Sequence, residues 1–505
     1  MKKINSALIS VFSKDGIEPI IRKLNELNVT LYSTGGSFDF IKSLGIDAIA
    51  VDSLTSYPSI LGGRVKTLHP KIFGGILGRR DVDSDLQQLQ EYGIPEIDLV
   101  IVDLYPFEQT VASTVNEVEI IEKIDIGGIS LIRAAAKNYK DVVIIPSASE
   151  YDNFLFLLNE KQGFTDLSDR KLFACKAFNI SSHYDTHIFN YFNQDIQLSI
   201  FKQSILQSNA MRYGENPHQQ AIFHGDIADY FCQLHGKDLS YNNLLDIDAA
   251  VALIKDFEET TFVIIKHNNA CGLASRNKLF DAWKDALAAD PISAFGGILI
   301  CNRILDEETA VEINKLFFEI IIAPNYENKS LEILKSKKNR IILQSKDFVL
   351  NDKQFKTVLN GVIAQKRDTF VEKPEDLKTV TDVLPTDAQI TDMLFANILV
   401  KHTKSNAIIL VKNKQLLASG VGQTSRVDAL KQAIVKAKTF GFDLNGAVMA
   451  SDAFFPFADS VEIANNEGVK AVIQPGGSIK DQESIDFCNL HQMTMVFTGK
   501  RHFKH

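Results

Sequence analysis

Residues 261–272 read Thr-Phe-Val-Ile-Ile-Lys-His-Asn-Asn-Ala-Cys-Gly, and the rest of the chain is organised around this stretch. Residues 261–265 form an apolar, β-branched run that is typical of a buried strand. The run ends on Lys266 and His267, which are followed by two amide side chains. Leaving such polar groups unpaired in a core costs several kcal/mol. The pattern therefore indicates either a catalytic strand end or a strand that surfaces into a polar turn, and both interpretations stay open for this stretch alone.

The composition is that of a globular protein with more than one domain. A chain of 505 residues exceeds the size at which a single hydrophobic core stops growing. Hydrophobic residues make up 45% and charged residues 23%, which is ordinary for globular proteins. The formal net charge of -9 disfavours nucleic-acid binding, which relies on clustered Lys and Arg. No segment approaches the roughly 20 apolar residues of a membrane span, so we expect no membrane partner.

The cysteines predict a cytoplasmic protein without a cysteine metal site. The five cysteines are odd in number and widely scattered, and none are paired at metal-ligand spacing. Such residues are typical of reduced, buried thiols in a cytoplasmic protein.

Two strand–turn–helix units open the chain. Residues 7–12 predict a strand that is followed by a helix over 17–28, and residues 29–33 predict a second strand that is followed by a helix over 37–46. Consecutive units of this kind predict a doubly wound parallel sheet with ligands at the carboxyl ends of its strands. The residues at those ends lie beside helix N-termini, where backbone N–H groups favour phosphate. These candidate phosphate-binding residues are Ser13, Ser33, Thr34 and Gly35.

Residues 62–80 add cationic groups to the first domain. In an extended chain Arg64 and Lys66 point to one face, which predicts an anion-binding site. A later strand, 97–107, carries Asp103 and Tyr105 at its end. A helix over 129–138 then places Arg133 and Lys137 four residues apart, so that two like charges share a helix face unless an anion relieves them.

The rest of the chain shows a different pattern of residues. Residues 141–205 are expected to be helical, and a loop rich in polar and aromatic groups follows at 209–219. Residues 406–413 repeat the apolar pattern of the opening stretch, and residues 451–466 resemble 290–297 in placement, which predicts a weak internal duplication. The carboxyl terminus, 497–505, is expected to fray.

Several long, ungapped motifs resemble one family over nearly the whole chain. It resembles the bifunctional purine-biosynthesis enzymes that join an AICAR transformylase to an IMP cyclohydrolase. The matching motifs are GGRVKTLHP (62–70), IDIGG (124–128), RAAAKN (133–138), RYGENPHQ (212–219), LSYNNLLD (239–246), IKHNNACG (265–272), SDAFFPFAD (451–459) and TGKRHFKH (498–505).

The resemblance implies an α/β protein with two catalytic domains. Residues 1–200 are expected to form a methylglyoxal-synthase-like, doubly wound domain for the cyclohydrolase step. Residues 201–505 are expected to form two cytidine-deaminase-like α/β halves for formyl transfer. The implied co-substrate is 10-formyltetrahydrofolate and the substrates are AICAR and FAICAR, with no catalytic metal and with a structural monovalent cation. The implied assembly is a cytoplasmic homodimer whose transformylase sites use both chains.

The resemblance also assigns residues to the transformylase. His267 is expected to act as general base on the 5-amino group of AICAR, since imidazole titrates near neutral pH. Lys266 is expected either to stabilise the oxyanion or to protonate the leaving folate nitrogen, and Asn406 to hold the formyl oxygen. The residues expected to bind AICAR or shape the substrate pockets are Arg212, Tyr213, Gly296, Gly297, Phe454, Phe457, Asp459 and Arg501.

The cyclohydrolase closes FAICAR to IMP by attack of the carboxamide nitrogen on the formyl carbon, with loss of water. The catalytic residues implied for this step are Lys66, Tyr105, Asp125 and Lys137. The implied substrate-binding residues are Ser13, Lys14, Ser33, Thr34, Gly35, Arg64, Thr67, Asp103, Gly127 and Gly128. The family often carries Asn at position 103, and an ionised carboxylate cannot donate a hydrogen bond as an amide can. The contact of Asp103 is therefore an open point.

Three other functions were weighed against this interpretation. A zinc nucleoside deaminase would suit the second half, but no His-x-Glu with Pro-Cys-x-x-Cys occurs in the sequence. A zinc-independent deaminase-fold enzyme that acts on another nucleotide is an alternative. A nucleotide-binding regulatory module is a further alternative, and it would need the cationic residues but no acid or base.

Overall fold

The computed structural model describes residues 1–61 and 64–505. Gly62 and Gly63 of the predicted anion-binding stretch lie outside the described residues. The chain divides into two compact units, Met1–Leu206 and Gln207–His505, so the predicted domain border at 200 falls slightly ahead of the observed division. No helix in the described ranges is both long and apolar enough to cross a bilayer.

The first unit is built on a parallel sheet. Its strands are β1 Lys2–Lys3, β2 Ser6–Val11, β3 Thr30–Ser33, β4 Ile49–Ala50, β5 Leu99–Asp103, β6 Val143–Ile145 and β7 Phe164–Thr165. Five of them form a sheet of order β4-β3-β2-β5-β6, and every neighbouring pair is parallel. The predicted doubly wound parallel sheet is confirmed. The expectation that residues 141–205 are helical was wrong at β6, where three fully buried residues complete the sheet, at β7, and over 197–205, which contain no helix.

Helices cover the sheet and carry the candidate residues. They are α1 Glu18–Glu26, α2 Gly35–Ser43, α3 Val51–Thr55, α4 Pro70–Leu77, α5 Asp83–Glu91, α6 Phe107–Ser113, α7 Glu117–Ile121, α8 Gly127–Lys137, α9 Tyr151–Lys161 and α10 Leu167–Ile196. α1 buries one apolar face through Ile20, Ile21 and Leu24, as its spacing predicts. α10 begins with a capping box between Asp166 and Asp169, which satisfies backbone donors at its start.

The second unit contains one mixed sheet of twelve strands and two separate pairs of strands. Its strands are β8 Ser208–Ala210, β9 Ile222–His224, β10 Phe231–His235, β11 Thr261–Lys266, β12 Asn269–Ser275, β13 Ile298–Cys301, β14 Ile320–Ala323, β15 Ile341–Ser345, β16 Lys353–Val358, β17 Gly361–Lys366, β18 Lys378–Thr379, β19 Ile408–Lys412, β20 Gln415–Gly420, β21 Val448–Ser451, β22 Ala471–Gln474 and β23 Thr494–Phe497. Its helices are α11 Tyr241–Ile254, α12 Leu279–Ala289, α13 Glu307–Ile313, α14 Asn328–Lys335, α15 Asp387–Lys401, α16 Arg426–Thr439, α17 Asp459–Asn466 and α18 Asp481–Leu490.

The order of the large sheet shows that the second unit is duplicated. It runs β10-β15-β14-β13-β11-β12-β20-β19-β21-β22-β23-β18. Each half contains an antiparallel hairpin, β11–β12 or β19–β20, whose first strand also pairs antiparallel with the strand that starts a parallel trio. The halves join where β12 meets β20, at Ala274 opposite Gln415. The predicted duplication is therefore confirmed, and it is stronger than the sequence pattern indicated.

The placement given to one pair of repeats was wrong. Residues 290–297 precede β13, whereas residues 451–459 follow β21, the equivalent strand of the second half. The two segments therefore lie at opposite ends of equivalent strands. Both contain an acidic residue followed by aromatic residues, and this shared composition suggested an equivalence that the topology does not have.

Alternating side chains of the central strands fill three cores. Val263 and Ile265 of β11 face a core that also contains Ile409 of β19, so this core is shared by both halves. Phe262 faces a separate core, where its ring lies 5.1 Å from that of Trp283 in an edge-to-face contact. The opening stretch is therefore buried on both faces, as its uninterrupted apolar run indicates.

Glycines allow one helix of each half to pack closely on the hairpin. A Cβ on Gly272 would lie 2.2 Å from the carbonyl oxygen of Ala286, and a Cβ on Gly420 would lie 1.8 Å from that of Ala429. We expect Gly420→Ala to lower the free energy of unfolding by about 2–3 kcal/mol, because the backbone of α16 must move away. The midpoint of urea unfolding measures this loss. Gly361→Ala is the matched control, since its Cβ would meet no atom closer than 3.9 Å, and an equal loss in both variants would contradict the packing argument.

Candidate active sites

The carboxyl ends of β2 and β3 form a cationic cradle at the start of α2. The Lys14 Nζ atom donates to the carbonyl oxygens of Val11 (2.7 Å) and Phe12 (3.0 Å). A Cβ on Gly36 would lie 3.9 Å from Lys14 Nζ, and a Cβ on Gly35 would lie 3.4 Å from Lys66 Nζ. Two ammonium groups thus lie at the N-terminus of a nine-residue helix, whose free N–H groups and dipole favour a phosphate.

Asp103 supports this cradle from the next strand. Its Oδ2 accepts a hydrogen bond from the backbone N–H of Ser13 at 3.1 Å. Burial raises the pKa of Asp103, while the Ser13 N–H and the charge of Lys14 act in the opposite direction. The observed contact requires only an acceptor, so a carboxylate makes it as well as an amide would. The contact of Asp103 with substrate stays a prediction.

Asp125 organises the other side of the same cleft. Its carboxylate accepts from the backbone N–H of Gly128 at 2.6 Å and also from the backbone N–H groups of Tyr105 and Ile129. Burial raises the pKa of Asp125, since these hydrogen bonds only partly offset the desolvation. One carboxylate therefore fixes both the start of α8 and the backbone of Tyr105.

The ring of Tyr105 lies at the mouth of this cleft. It is 40% exposed, and it contacts Phe12 edge to face at 5.1 Å between ring centroids. The Lys123 ammonium lies 5.3 Å and 5.7 Å from the ring centroids of Phe12 and Tyr105. Thr67 is buried beside Gly127, where a Cβ would lie 3.1 Å from its hydroxyl oxygen. Lys66, Thr67, Tyr105 and Asp125 are thus gathered around the start of α2 and α8.

Three candidates of the first unit are placed differently. The Ser33 hydroxyl is fully buried and donates to the carbonyl oxygen of Ile9 at 2.8 Å, so it contributes to the core. Arg64 pairs with Glu122. Lys137 ends α8, which places it about 15 Å along the helix axis from Gly127, at the rise of 1.5 Å per residue. The structure of one chain therefore does not bring Lys137 to Asp125.

Arg133, which shares a helix face with Lys137, also has another contact. Its guanidinium lies 5.7 Å from the ring centroid of Phe178 in α10. This contact gives the Arg133 guanidinium a partner within the protein, so its charge on this helix face does not depend on a bound anion.

In the second unit, Lys266 and His267 lie where β11 turns into β12. His267 and Asn268 have φ of 50° and 64°, the left-handed region that a tight hairpin turn of this hand requires. The Lys266 ammonium donates to the carbonyl oxygens of Phe295 (3.0 Å) and Gly296 (3.1 Å). Since an ammonium has three N–H donors, one is left for a ligand. The predicted catalytic strand end and the glycine turn at 296–297 are therefore adjacent.

Asp246 of α11 holds this turn, and sequence reasoning missed it. Its Oδ1 accepts from the backbone N–H of Asn268 at 2.6 Å. Burial raises the pKa of Asp246, while the Asn268 N–H and the charges of His267 and Lys266 oppose that shift. The signal was present in the LSYNNLLD motif, but only the fold shows that its last residue faces the turn.

The second half contains an equivalent carboxylate at its own hairpin turn. Asp392 of α15 accepts from the backbone N–H groups of Asn413 and Lys414, both at 2.7 Å. These two turn residues also have positive φ, 53° and 51°. A helix carboxylate that holds the hairpin turn is therefore a structural feature of both halves, and only the first half presents an imidazole there.

Asn406 belongs to a second group of polar residues. Its Nδ2 donates to the carbonyl oxygens of Gln423 (2.9 Å) and Thr424 (3.2 Å), and its Oδ1 accepts from Arg426 at 3.0 Å. Arg426 also pairs with the buried Asp452 at 3.0 Å. The Asn269 side chain accepts from the backbone N–H of Lys404 at 3.0 Å, which links this group to the catalytic hairpin. In this arrangement both Nδ2 hydrogens of Asn406 are directed at backbone carbonyls.

The carboxyl terminus is tied to this second group, so the expectation that it frays was wrong. The backbone N–H of His502 donates to the carbonyl oxygen of Asp452 at 3.1 Å, and Ser405 N–H donates to the carbonyl oxygen of Lys504 at 2.8 Å. Burial alone would lower the pKa of His502, but its hydrogen bonds to Asp368 (2.6 Å) and Glu372 (2.9 Å) outweigh that effect and raise its pKa to about 9.

The remaining substrate-binding candidates lie at the surface of the second unit. Arg212 and Arg501 are exposed and stack on Tyr213 and Phe503, at 5.1 Å and 4.3 Å from the ring centroids. The Glu215 carbonyl accepts from Asn242, one turn before Asp246 on α11, which brings the 212–219 loop near the catalytic hairpin. Phe454, Phe457 and Asp459 follow β21, and Asp459 begins α17. Among the described residues, no hydrogen bond joins these candidates directly to Lys266 or His267.

Comparisons with known proteins place the chain in one family. The family model described as the AICARFT/IMPCHase bienzyme matches residues 135–436, and the model of the MGS-like domain matches residues 16–130. A protein of Bacteroides thetaiotaomicron is 62% identical, over 100% of this chain and 99% of its own length. Proteins of Acetivibrio thermocellus and Persephonella marina are 47% and 44% identical, each over 99% of this chain and over 100% and 99% of their own lengths. All three are named bifunctional purine biosynthesis protein PurH.

Proposed function

This chain belongs to the AICARFT/IMPCHase bienzyme family, and we propose that each of its two reactions is carried by one of the two groups of side chains described above, one in each unit. As a member of that family it catalyses the last two steps of IMP synthesis. The first transfers a formyl group from the folate co-substrate to AICAR, and the second closes FAICAR to IMP. The observation that carries the proposal is the placement of these groups. In the first unit, Asp125 and Tyr105 lie beside the phosphate cradle formed by Lys14 and Lys66. In the second unit, the Lys266 ammonium and the His267 imidazole lie at one hairpin turn.

Formyl transfer is assigned to the hairpin turn of the second unit. The 5-amino nitrogen of AICAR attacks the formyl carbon of 10-formyltetrahydrofolate, and His267 takes the proton that this nitrogen loses. The free N–H of Lys266 faces the formyl oxygen as negative charge develops on it, because two backbone carbonyls already hold the ammonium in place. The bond to the folate nitrogen then breaks, and the imidazolium of His267 returns its proton to that nitrogen. Asp246 positions the turn and stabilises the imidazolium that forms.

Asn406 is assigned to the same reaction as a holder of the formyl oxygen. Its amide can take this role once substrate displaces one of its two backbone contacts. Phe454, Phe457, Asp459, Arg212, Tyr213 and Arg501 are proposed to bind AICAR and the folate around this centre, together with Gly296 and Gly297.

Ring closure is assigned to the first unit. The phosphate of FAICAR binds at the start of α2 between Lys14 and Lys66, which fixes the carboxamide nitrogen against the formyl carbon of the same molecule. The half-buried Asp125 accepts the carboxamide proton, a role that suits a carboxylate whose pKa is raised by partial burial. Tyr105 and the protonated Asp125 each deliver a proton to the oxygen that leaves as water, and the proton lost by the formamido nitrogen restores the Tyr105 hydroxyl. Ser13, Ser33, Thr34, Gly35, Arg64, Thr67, Asp103, Gly127 and Gly128 form or support the surrounding pocket.

The test is to assay the two half-reactions separately in the full-length enzyme. AICAR is supplied with 10-formyltetrahydrofolate in one assay, and FAICAR alone in the other. A regulatory nucleotide-binding module would bind its ligand and fail in both assays. Separate sites require that a substitution in one group abolishes one reaction and leaves the other intact.

We also propose that the enzyme is a cytoplasmic homodimer with transformylase sites shared between chains. The supporting observation is the hairpin β16–β17, which forms a separate two-stranded sheet among the described residues and exposes Leu359 (101%) and Ile363 (59%). An isolated two-stranded hairpin is marginally stable unless it packs on another surface, and a second copy of the chain provides one. A structural monovalent cation remains a prediction from the resemblance.

Light scattering tests the dimer directly. A dimer of the 56.3 kDa chain gives a molar mass of about 113 kDa, which is twice that value. We expect Ile363→Glu to shift the mass towards one chain, because a buried charge without a partner destabilises an apolar contact. A wild-type enzyme that stays at the mass of one chain at assay concentrations would contradict the proposal.

A further inference from the structure

Two histidines and a glutamate converge in the first unit, and none of them is among the residues assigned to ring closure. His183 and His187 lie one turn apart on α10, and their ring centroids are 4.3 Å apart. Glu108 of α6 faces both of them: its Oε1 lies 2.7 Å from His183 Nε2, and its Oε2 lies 3.3 Å from His187 Nε2. One ligand atom from each residue lies within 4.8 Å of the ligand atoms of the other two.

Ser204 holds both imidazole rings from the opposite side. Its hydroxyl lies 2.9 Å from His183 Nδ1, and its backbone forms a hydrogen bond with His187. In protein metal sites, a ligating histidine is oriented by a hydrogen bond to its other ring nitrogen, which fixes the tautomer and leaves a lone pair for the ion. Here both Nε2 atoms are directed at one carboxylate while Ser204 contacts both rings.

This arrangement favours a cation at the point where the three side chains meet. An imidazole that donates from Nδ1 to Ser204 turns its Nε2 lone pair towards the carboxylate of Glu108. In that tautomer no proton lies between Nε2 and the carboxylate, so a cation placed there is coordinated by the imidazoles and the carboxylate together. From these contacts we propose that Glu108, His183 and His187 bind a divalent transition-metal ion such as Zn²⁺.

The donor set suits zinc in a structural role. Zn²⁺ takes imidazole nitrogen at about 2.0–2.1 Å and carboxylate oxygen at about 2.0–2.2 Å, in tetrahedral geometry. Glu108 is 44% exposed in its side chain, which leaves room for a water as fourth ligand. The histidines are spaced i,i+4 on one helix face, which brings two ligands together within a single helix. The sequence therefore contained this signal.

The site would clamp α6 onto α10 next to the cyclohydrolase cleft. Glu108 lies three residues after Tyr105. Tyr184, between the two histidines in sequence, contacts the backbone N–H of Asp125 at 2.9 Å through its hydroxyl, and its ring lies 6.1 Å from that of Phe107. The bound ion therefore fixes the two segments that carry Tyr105 and Asp125, while itself contacting neither residue.

Metal binding to the full-length enzyme tests the proposal. The enzyme is stripped with a chelator and dialysed, and then titrated with ZnCl₂ or CoCl₂. We expect one equivalent to bind, a Co²⁺ d–d absorption band typical of nitrogen and oxygen ligands, and a rise in melting temperature of about 5 °C at saturating metal. Amide hydrogen exchange in 107–113 should slow when the ion is present.

Variants separate this site from adventitious binding. His187→Gln and Glu108→Gln should each lose the bound equivalent, the absorption band and the metal-induced rise in melting temperature. His224→Gln, at an exposed histidine of the second unit, should retain all three. The proposal is overturned if wild type binds no equivalent beyond that of His187→Gln, or if the cobalt spectrum shows thiolate ligation. Melting of the metal-free variants, compared with metal-free wild type, shows whether they fold.

Discussion

Replacing His267 by asparagine is expected to lower the rate of formyl transfer to AICAR by about 10³-fold, while closure of FAICAR proceeds at the wild-type rate. The size follows from the loss of a general base, which typically contributes 10²–10⁴-fold. The amine of AICAR is weakened by conjugation with its carboxamide, so it needs deprotonation as it attacks. Asparagine is chosen because it tolerates the left-handed backbone that His267 adopts at φ 50°. The turn that places Lys266 is therefore retained, and only the base is removed.

His224→Asn is the matched control for this variant. It removes an exposed imidazole from β9 of the same unit, and it should leave both reactions unchanged. Initial rates are measured with AICAR and 10-formyltetrahydrofolate in one assay and with FAICAR in the other. Formyl transfer at the wild-type rate in His267→Asn would remove the catalytic assignment. A parallel loss of both reactions would indicate misfolding, which the melting temperature would show independently.

Replacing Lys66 by alanine is expected to lower kcat/KM for FAICAR closure by about 10²-fold and to spare formyl transfer. Its ammonium lies at the start of α2, close to Gly35, and it joins the helix dipole and Lys14 in holding the phosphate. Removal of one preorganised cationic contact of this kind typically costs about 10²–10³-fold. Because the phosphate anchors the substrate, much of the loss should appear in KM, and the remainder in the orientation of the reacting groups.

Lys137→Ala and Lys140→Ala test how far the assignment of the first unit can be carried over from the family. Family resemblance places Lys137 among the catalytic residues, whereas α8 carries it about 15 Å from Gly127. Lys140 is exposed nearby and belongs to no predicted site. The geometry of one chain predicts that Lys137→Ala resembles Lys140→Ala in both assays. A loss as large as that of Lys66→Ala would show that Lys137 reaches a catalytic centre, and in a dimer this would be the centre of the second copy.

Much of the fold could be predicted from the sequence where periodicity and turn chemistry agree. β2, β3 and β5 fall within a few residues of their predicted positions, since apolar runs that end in glycine or polar turns have few other solutions. β6 was missed because three residues between two helical segments are too short a run to interrupt a helical pattern. The carboxyl terminus was expected to fray because its basic residues show no partner in the sequence, while its partners lie near positions 368, 404 and 452.

The residue types of both candidate sites were visible in the sequence, but their neighbours were not. Lys266 and His267 stood out as polar groups at the end of a core strand. Asp246 did not, because nothing in its local sequence shows that it reaches a turn more than twenty residues later. The pair of histidines on α10 was likewise visible as a spacing, but Glu108 joins them only through the packing of α6 on α10.

By itself the sequence determined which strands are buried, which motifs carry chemistry and which family the chain resembles, because these depend on local periodicity and on residue identity. The tertiary structure alone decided that the opening stretch lies at the centre of a duplicated twelve-stranded sheet, that equivalent carboxylates hold both hairpin turns, and that Lys137 stands apart from Asp125. These depend on contacts between residues far apart in the chain. Such contacts are fixed by the packing of whole helices against the sheet, and no local pattern records them.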